Sequence, residues 1–220
     1  MASRRKAEEL IRTGRVRVNG VISRIGDKVD ISSDVVELDG VILRPKEKEY
    51  FLINKPKGSI TTLYDPQGRI TVMDFLKRKD LFPVGRLDKD TRGLLIITND
   101  GELANRILHP RYEVERRYIV TVRGRIDKER IDILLQGINL DDGPARFDDI
   151  RLVKLESDRS ILEVSLHEGR KRLIRRIFCT IGNPVLDLVR VKFGPVELGD
   201  LKEGKIRPLT KGEIESLKCL

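Results

Sequence analysis

The sequence predicts an α+β fold in two parts. A small basic helix-plus-hairpin module spans residues 1–45, and a larger domain over residues 46–220 is built on a mixed, mostly antiparallel sheet. Three observations carry this. Short runs rich in β-branched residues recur beyond residue 50, helical patterns interrupt them too irregularly for a βαβ array, and the stretch Arg44-Pro45-Lys46-Glu47-Lys48-Glu49 has nothing apolar to bury.

The first module opens on Ser3, a helix N-cap, followed by a short amphipathic helix that ends at Gly14 and sets Ala7, Leu10 and Ile11 on one face. Val16 and Val18 then alternate into an Asn19-Gly20 hairpin signal, followed by Val21, a turn at Gly26-Asp27 and further β-branched residues. In the larger domain, strands are expected at Tyr50–Ile53, Leu94–Thr98, Tyr118–Val122, Ile150–Leu155 and Ile161–Leu166. Helices are expected at Val72–Lys79, Glu102–Leu108, Lys128–Leu135, Arg170–Ile181 and Lys211–Lys218, the last with a Thr210/Glu213 capping box. No internal repeat or low-complexity segment interrupts the pattern.

Of the 220 residues, 39% are hydrophobic, enough for a core, and 44 Lys and Arg against 35 Asp and Glu leave a net charge of +9. The sequence pI of about 9.6 fits a polyanionic partner. Its distribution strengthens that reading. Arg4, Arg5, Lys6, Arg12, Arg15, Arg17 and Arg24 crowd the first 24 residues against Glu8 and Glu9, and Arg170, Lys171, Arg172, Arg175 and Arg176 fall within seven positions free of acid. A solvated helix face is the plainer explanation of either cluster alone. No run approaches the ~18 apolar residues of a membrane span, and residues 1–24 lack the apolar segment of a secretory signal. Cys179 and Cys219 form neither a disulfide framework nor, with His109 and His167, a zinc pattern, so the expected setting is the reducing cytosol.

The stretch from Phe82 to Gly101 is the most informative. A charged loop holding Arg86, Asp88, Lys89 and Asp90 opens into the apolar run Leu94–Ile97, which reads as a buried central strand. Such an anchored loop suits a reactive group, although Asp90, Thr91 and Gly93 also make an ordinary turn. A calcium loop starting at Asp88 fails, since Arg92 and Asn99 fall where ligands are needed. Arg86 and Lys89 favour the ionised form of Asp88, which suits a nucleophile or base and tilts against an acid/base hydrolase pair.

Several motifs, in order, resemble the RsuA-type ribosomal RNA pseudouridine synthases, which modify single uridines in small- or large-subunit rRNA. They are Ser3-Arg-Arg-Lys-Ala-Glu, Gly14-Arg-Val-Arg-Val-Asn-Gly20, Asn54-Lys-Pro-Lys-Gly58, Gly85-Arg-Leu-Asp-Lys-Asp-Thr-Arg-Gly-Leu-Leu95, Thr98-Asn-Asp-Gly-Glu102, Glu115-Arg-Arg-Tyr118, Glu168-Gly-Arg-Lys-Arg-Leu-Ile-Arg-Arg176 and Arg207-Pro-Leu-Thr210. The resemblance implies a pseudouridine synthase-like catalytic domain behind an S4-like RNA-binding module. It makes Asp88 the catalytic aspartate, Tyr118 the aromatic that stacks on the target uracil, and Arg175 the partner of the aspartate. Each type suits its part: a ring replaces the lost stacking of a flipped base, and a guanidinium can hold a carboxylate through two parallel bonds. From local pattern alone Tyr118 reads as a core aromatic and Arg175 as a solvated helix residue.

The implied reaction cleaves the uracil N1–ribose C1′ bond, turns the free base and rejoins it through C5. Asp88 attacks C1′, attacks C6, or removes the C2′ proton; the sequence leaves these open. No metal and no cofactor are implied, in keeping with the absence of a Walker A loop or dinucleotide fingerprint. Arg86 is expected near the flipped nucleotide, Arg170, Lys171, Arg172 and Arg176 on RNA phosphates, and Arg4, Arg5, Lys6 and Arg15 on RNA from the first module. The expected partner is ribosomal RNA, large subunit favoured over small, and the expected state a monomer. Relatives begin with a further helix before Ser-Arg-Arg, which implies a trimmed or truncated module here, and Leu173 replaces a frequent Gln. The alternatives are a non-catalytic RNA-binding or ribosome-assembly protein on the same fold, and a carboxylate-dependent RNA nuclease.

Overall fold

A computed structural model describes residues 4–78 and 80–220 and divides the chain into two units, Met1–Lys48 and Glu49–Leu220. The expected cap Ser3 and the expected helix end Lys79 lie outside the described residues.

In the first unit, α1 (Arg4–Arg12) keeps Ala7, Leu10 and Ile11 half-buried, and Gly14, at φ +70°, turns the chain out of the helix. Strands β1 (Val16–Val18), β2 (Val21–Ile22), β3 (Val36–Leu38) and β4 (Val41–Ile42) form an antiparallel sheet in the order β2-β1-β3-β4. Both hairpin turns, Asn19-Gly20 and Asp39-Gly40, have positive φ at both central residues, as a type I′ turn requires. The first is the turn that the sequence signals; Asp39-Gly40 carries the same signal.

The second unit contains β5 (Tyr50–Lys55), α2 (Val72–Leu76), β6 (Phe82–Pro83), β7 (Arg92–Thr98), α3 (Gly101–Leu108), β8 (Arg116–Arg123), α4 (Lys128–Gln136) and a hairpin of β9 (Ile138–Leu140) and β10 (Gly143–Ala145). It continues through β11 (Asp149–Leu155), β12 (Arg159–Leu166), α5 (Leu173–Thr180), β13 (Val185–Phe193), β14 (Val196–Glu197), β15 (Ile206–Pro208) and α6 (Lys211–Lys218). The main sheet runs β11-β12-β8-β13-β7-β5-β15, with β14 beside β13 and β6 beside β7. Its described pairings are antiparallel except that of β13 with β7, so the sheet is mixed and largely antiparallel.

Alternation on the strands gives each face its own core. Ile53, Leu95, Ile97, Val120 and Leu188 pack with Leu173, Ile174, Ile177 and Phe178 of α5, while Leu52, Leu94 and Ile96 pack with Leu103 and Ile107 of α3 and Leu217 of α6. Strand β7 is therefore covered on both sides, which explains its unbroken apolar run. The Thr210/Glu213 capping box is present on α6.

The structure differs from the sequence reading in two places near the cleft. Helix α5 begins at Leu173 rather than Arg170, because Arg172 sits in the left-handed region at φ +52° and Leu173 N–H closes a turn on the Arg170 carbonyl. The long central strand β13 is an addition. Its Asp187, Arg190 and Lys192 interrupt an otherwise apolar run.

Candidate active site

The site grows from the way the loop before β7 is held. Every carbonyl from Leu87 to Thr91 is occupied. That of Leu87 accepts from Thr61 Oγ1 at 2.9 Å, and that of Asp88 from Thr91 N–H at 3.0 Å. The Lys89 carbonyl accepts from Gly58 N–H at 2.8 Å, the Asp90 carbonyl from Arg175 Nη2 at 3.0 Å, and the Thr91 carbonyl from Lys55 Nζ at 2.7 Å. A backbone so fastened has little freedom, and it presents the partly exposed Asp88 side chain to a cleft of about 890 Å³. Gly93 ends the loop at φ +106°, where a Cβ would stand 2.3 Å from the Arg190 carbonyl oxygen; this close approach is what lets β7 run beside β13.

Tyr118 on β8 is 8% exposed and lines the same cleft, with Val164 of β12 and Arg190 of β13 as its cross-strand neighbours. The expected pairing of Arg175 with Asp88 is corrected. Arg175 donates to the carbonyls of Asp90 and, at 3.4 Å, Val185, so that it ties the loop backbone to the start of β13. The guanidinium that faces the carboxylate belongs to Arg172, with Nη1 3.8 Å from Asp88 Oδ2, because the left-handed turn at Arg172 swings its side chain toward the loop. Burial presses the Arg175 guanidinium below its usual range and Arg172 adds to that, while Asp88 and Asp90 oppose it.

Lys55, Thr61, Arg116 and Arg190 join the site without having been singled out as site residues by the sequence. Lys55 is fully buried, and burial lowers its ammonium to about 8 against the pull of Asp88 and Asp90. The available signal was a lysine in Asn54-Lys-Pro-Lys-Gly58 that, two residues after Ile53, falls on the same face of the strand as that core residue.

Two family patterns match the chain, an RNA pseudouridylate synthase over residues 49–179 and an S4 domain over residues 1–36. The chain belongs to the RNA pseudouridylate synthase family. An uncharacterized RNA pseudouridine synthase of Aquifex aeolicus is 48% identical over 99% of this chain and 89% of its own length. A ribosomal large subunit pseudouridine synthase B of Bacillus subtilis is 42% identical over 100% of this chain and 92% of its own. A crystal structure of a pseudouridylate synthase superposes with a TM-score of 0.70 at 32% identity, covering 98% of this chain and 94% of that one.

In this synthase the two basic clusters divide into paired and available cations. Arg170 donates to Glu168, Asp142 and the Gly143 and Pro144 carbonyls, and Arg176 forms a two-bond fork with Asp142 at 2.8 and 2.9 Å. These two tie the β9–β10 hairpin to α5 and the turn before it, so both guanidiniums already have acidic partners within the protein. Lys171 and Arg86 are exposed at the cleft. In the first unit Arg15 is likewise committed, forking onto Asp39, and Lys6 pairs with Glu9 at 3.0 Å, whereas Arg5 is exposed. The side chain of Arg4 lies outside the described residues. Among the described residues no helix is long and apolar enough to cross a membrane.

Proposed function

We propose that this synthase isomerises a uridine to pseudouridine in large-subunit ribosomal RNA, with Asp88 acting on the flipped nucleotide and Tyr118 stacking on its uracil. The observation that carries the assignment is the loop 87–91, whose five carbonyls are all bonded and whose Asp88, unlike the exposed Asp90, lines a cleft that also holds Tyr118. Arg172 sets a cation 3.8 Å from this carboxylate, and the bonded loop holds the backbone that carries it, as a positioned nucleophile or base requires. Tyr118 offers a flipped base an aromatic face in place of its lost neighbours. Arg175 acts through the loop backbone, as a positioning residue. Arg86, Lys171 and Arg172 supply the cations at the cleft for phosphate, and Arg5 and Lys6 extend the basic surface of the S4 unit. The larger-subunit assignment is supported by the naming of the Bacillus subtilis relative. We place the protein in the cytosol as a monomer, with the division between the S4 module and the catalytic domain near residue 46.

The deciding experiment is release of tritium from 5-tritiated uridine in rRNA transcripts and in isolated subunits, for wild type and Asp88→Asn. The new bond at C5 expels that hydrogen. Release by wild type alone is expected. Release by neither, with salt-sensitive RNA binding retained, turns the reading to a non-catalytic RNA-binding protein; release by both removes Asp88 from the chemistry.

A further inference from the structure

Arg190 is 3% exposed, in the centre of the main sheet. Its Nε donates to the Leu94 carbonyl at 2.8 Å, and its guanidinium lies 4.7 Å from the centre of the Phe193 ring. Its Nη2 is buried without a hydrogen-bond partner. Arg116 stands two residues before Tyr118 on β8, so both side chains leave the same face of the strand. Its guanidinium lies 5.4 Å from the centre of the same Phe193 ring, and it donates to the His167 carbonyl. Both arginines line the cleft.

What distinguishes this pair is its charge balance. Arg172 faces Asp88, and Arg170 and Arg176 share Asp142. Burial opposes the charged form of both Arg116 and Arg190, and the neighbouring Arg190 adds to that at Arg116; the group that favours it is the Tyr118 phenol, which also hydrogen-bonds Arg190. Among the described residues no carboxylate pairs with either. Two guanidiniums held around one ring without a counter-charge cost free energy in the empty protein, and an anion received between them recovers it. Guanidinium forks match paired anionic oxygens in particular.

We propose that Arg116 and Arg190 form an anion site on the floor of the cleft, and that its ligand is the negatively charged part of the target uridine nucleotide. The identity of that ligand rests on the isomerase reading. The nucleotide brings negative charge from two sources. One is its phosphodiester oxygens. The other is the uracil ring after N1–C1′ cleavage, in which the bonding pair stays on N1 and spreads to O2 and O4. At that step C1′ either bonds an Asp88 carboxylate oxygen or forms a double bond to C2′ as Asp88 takes the C2′ proton. Joining C5 to C1′ returns the negative charge to the carboxylate in both cases. A cationic floor beside the stacking tyrosine holds such an anion through its rotation.

The test uses the full chain and an rRNA transcript carrying the target uridine, with Arg190→Met, Arg190→Lys and Arg116→Met. Melting curves establish that each variant is folded; Arg116→Met, at a partly exposed position, keeps the test available should Arg190→Met fail to fold. If phosphate is the ligand, the loss falls on Kd, roughly tenfold, and the slope of log Kd against log salt drops by about one. If the detached base is the ligand, the loss falls on the single-turnover rate at saturating RNA, about 100-fold or more, and Arg190→Lys restores part of it. Either pattern supports the site. Kd, salt slope and saturated rate all within about twofold of wild type in both methionine variants overturn it. Wild type that binds the transcript yet releases no tritium overturns the isomerase reading instead, and the salt slope still tests the anion site.

Discussion

The buried ammonium of Lys55 stands 2.7 Å from the carbonyl oxygen of Thr91 and also reaches that of Lys89, at 3.3 Å, so that one side chain grips two carbonyls of the turn that begins at Asp88. The Lys89 carbonyl has Gly58 N–H as a second donor and the Pro56 carbonyl has Ser59 Oγ, which leaves Thr91 the most dependent on Lys55. Lys55→Met therefore orphans about one acceptor, a loss of roughly 1–3 kcal/mol. Removing a desolvated charge offsets it by a similar amount. Global stability is expected to stay within about 1 kcal/mol, whereas the saturated single-turnover rate falls about 100-fold as the loop loosens. Urea unfolding beside rapid-quench kinetics separates the two; a rate within about threefold of wild type would remove the positioning role.

The same lysine sets a pH dependence. Burial lowers its ammonium to about 8, against the pull of Asp88 and Asp90. Between about 8 and the unfolded value near 10.4 the unfolded chain holds a proton that the folded chain has released, so this group's contribution to stability rises with pH across that window. Activity moves the opposite way. The neutral amine loses one of three donors, and the rate is expected to fall as pH rises through about 8. A pH series of single-turnover rates should show this limb in wild type and a flat profile in Lys55→Met.

Arg172 and Arg175 differ in kind. Arg172 meets Asp88 at 3.8 Å between two side chains that are 46% and 37% exposed, an ion pair worth less than about 1 kcal/mol. Arg172→Gln is expected to leave the melting temperature nearly unchanged while weakening RNA binding. Arg175→Gln withdraws donors from the Asp90 and Val185 carbonyls, which costs about 1–3 kcal/mol and lowers the saturated rate. Calorimetry and single-turnover kinetics on both variants check the contrast, and equal melting temperatures would refute it.

Much of this was legible in the residues. The run Leu94–Ile97 announced a strand covered on both faces, the Thr210/Glu213 spacing announced a capped helix, and the charged loop before β7 announced where a carboxylate would be held. Strand β13 was hidden by its charges. Asp187 is neutralised by Arg92 at 2.6 Å and Arg190 turns inward beside Tyr118, and neither compensation is local in sequence. Hydrophobic periodicity reports a strand only when its inward positions are apolar, and here one of them is an arginine of the site. The same holds for Arg170 and Arg176. Five basic residues in a row of seven look like an RNA grip until Asp142, on a distant hairpin, is seen to hold two of them.

This division of the basic cluster predicts different salt behaviour. Arg176→Gln breaks an internal fork and is expected to leave the salt slope of RNA binding unchanged, since no counterion-displacing contact is lost. Lys171→Gln or Arg86→Gln, each removing an exposed cation at the cleft, should lower the slope by about one and weaken binding at low salt. Filter binding across a salt series measures it. A slope reduced by Arg176→Gln as much as by Lys171→Gln would place Arg176 on phosphate after all.

Gly93 joins these observations, because it stands where the loop enters β7 and where β7 meets β13. Its φ of +106° is one that L side chains rarely adopt, and an added Cβ would lie 2.3 Å from the carbonyl oxygen and 2.7 Å from the nitrogen of Arg190. Backbone on β13 has no flexible end to move aside, so Gly93→Ala must spread the parallel pair. The strained φ costs about 1–3 kcal/mol, and overpacking adds about as much again. For a unit of this size each kcal/mol lowers the melting temperature by roughly 2–4 °C, so a fall of about 4 °C or more is expected. The spread also shifts Arg190 relative to Tyr118 and the loop relative to both. Gly93→Ala should therefore lose activity at temperatures where it remains folded, which tritium release beside a thermal melt reads directly. A variant as stable and as active as wild type would mean that the close approach of Gly93 to Arg190 does not constrain the site.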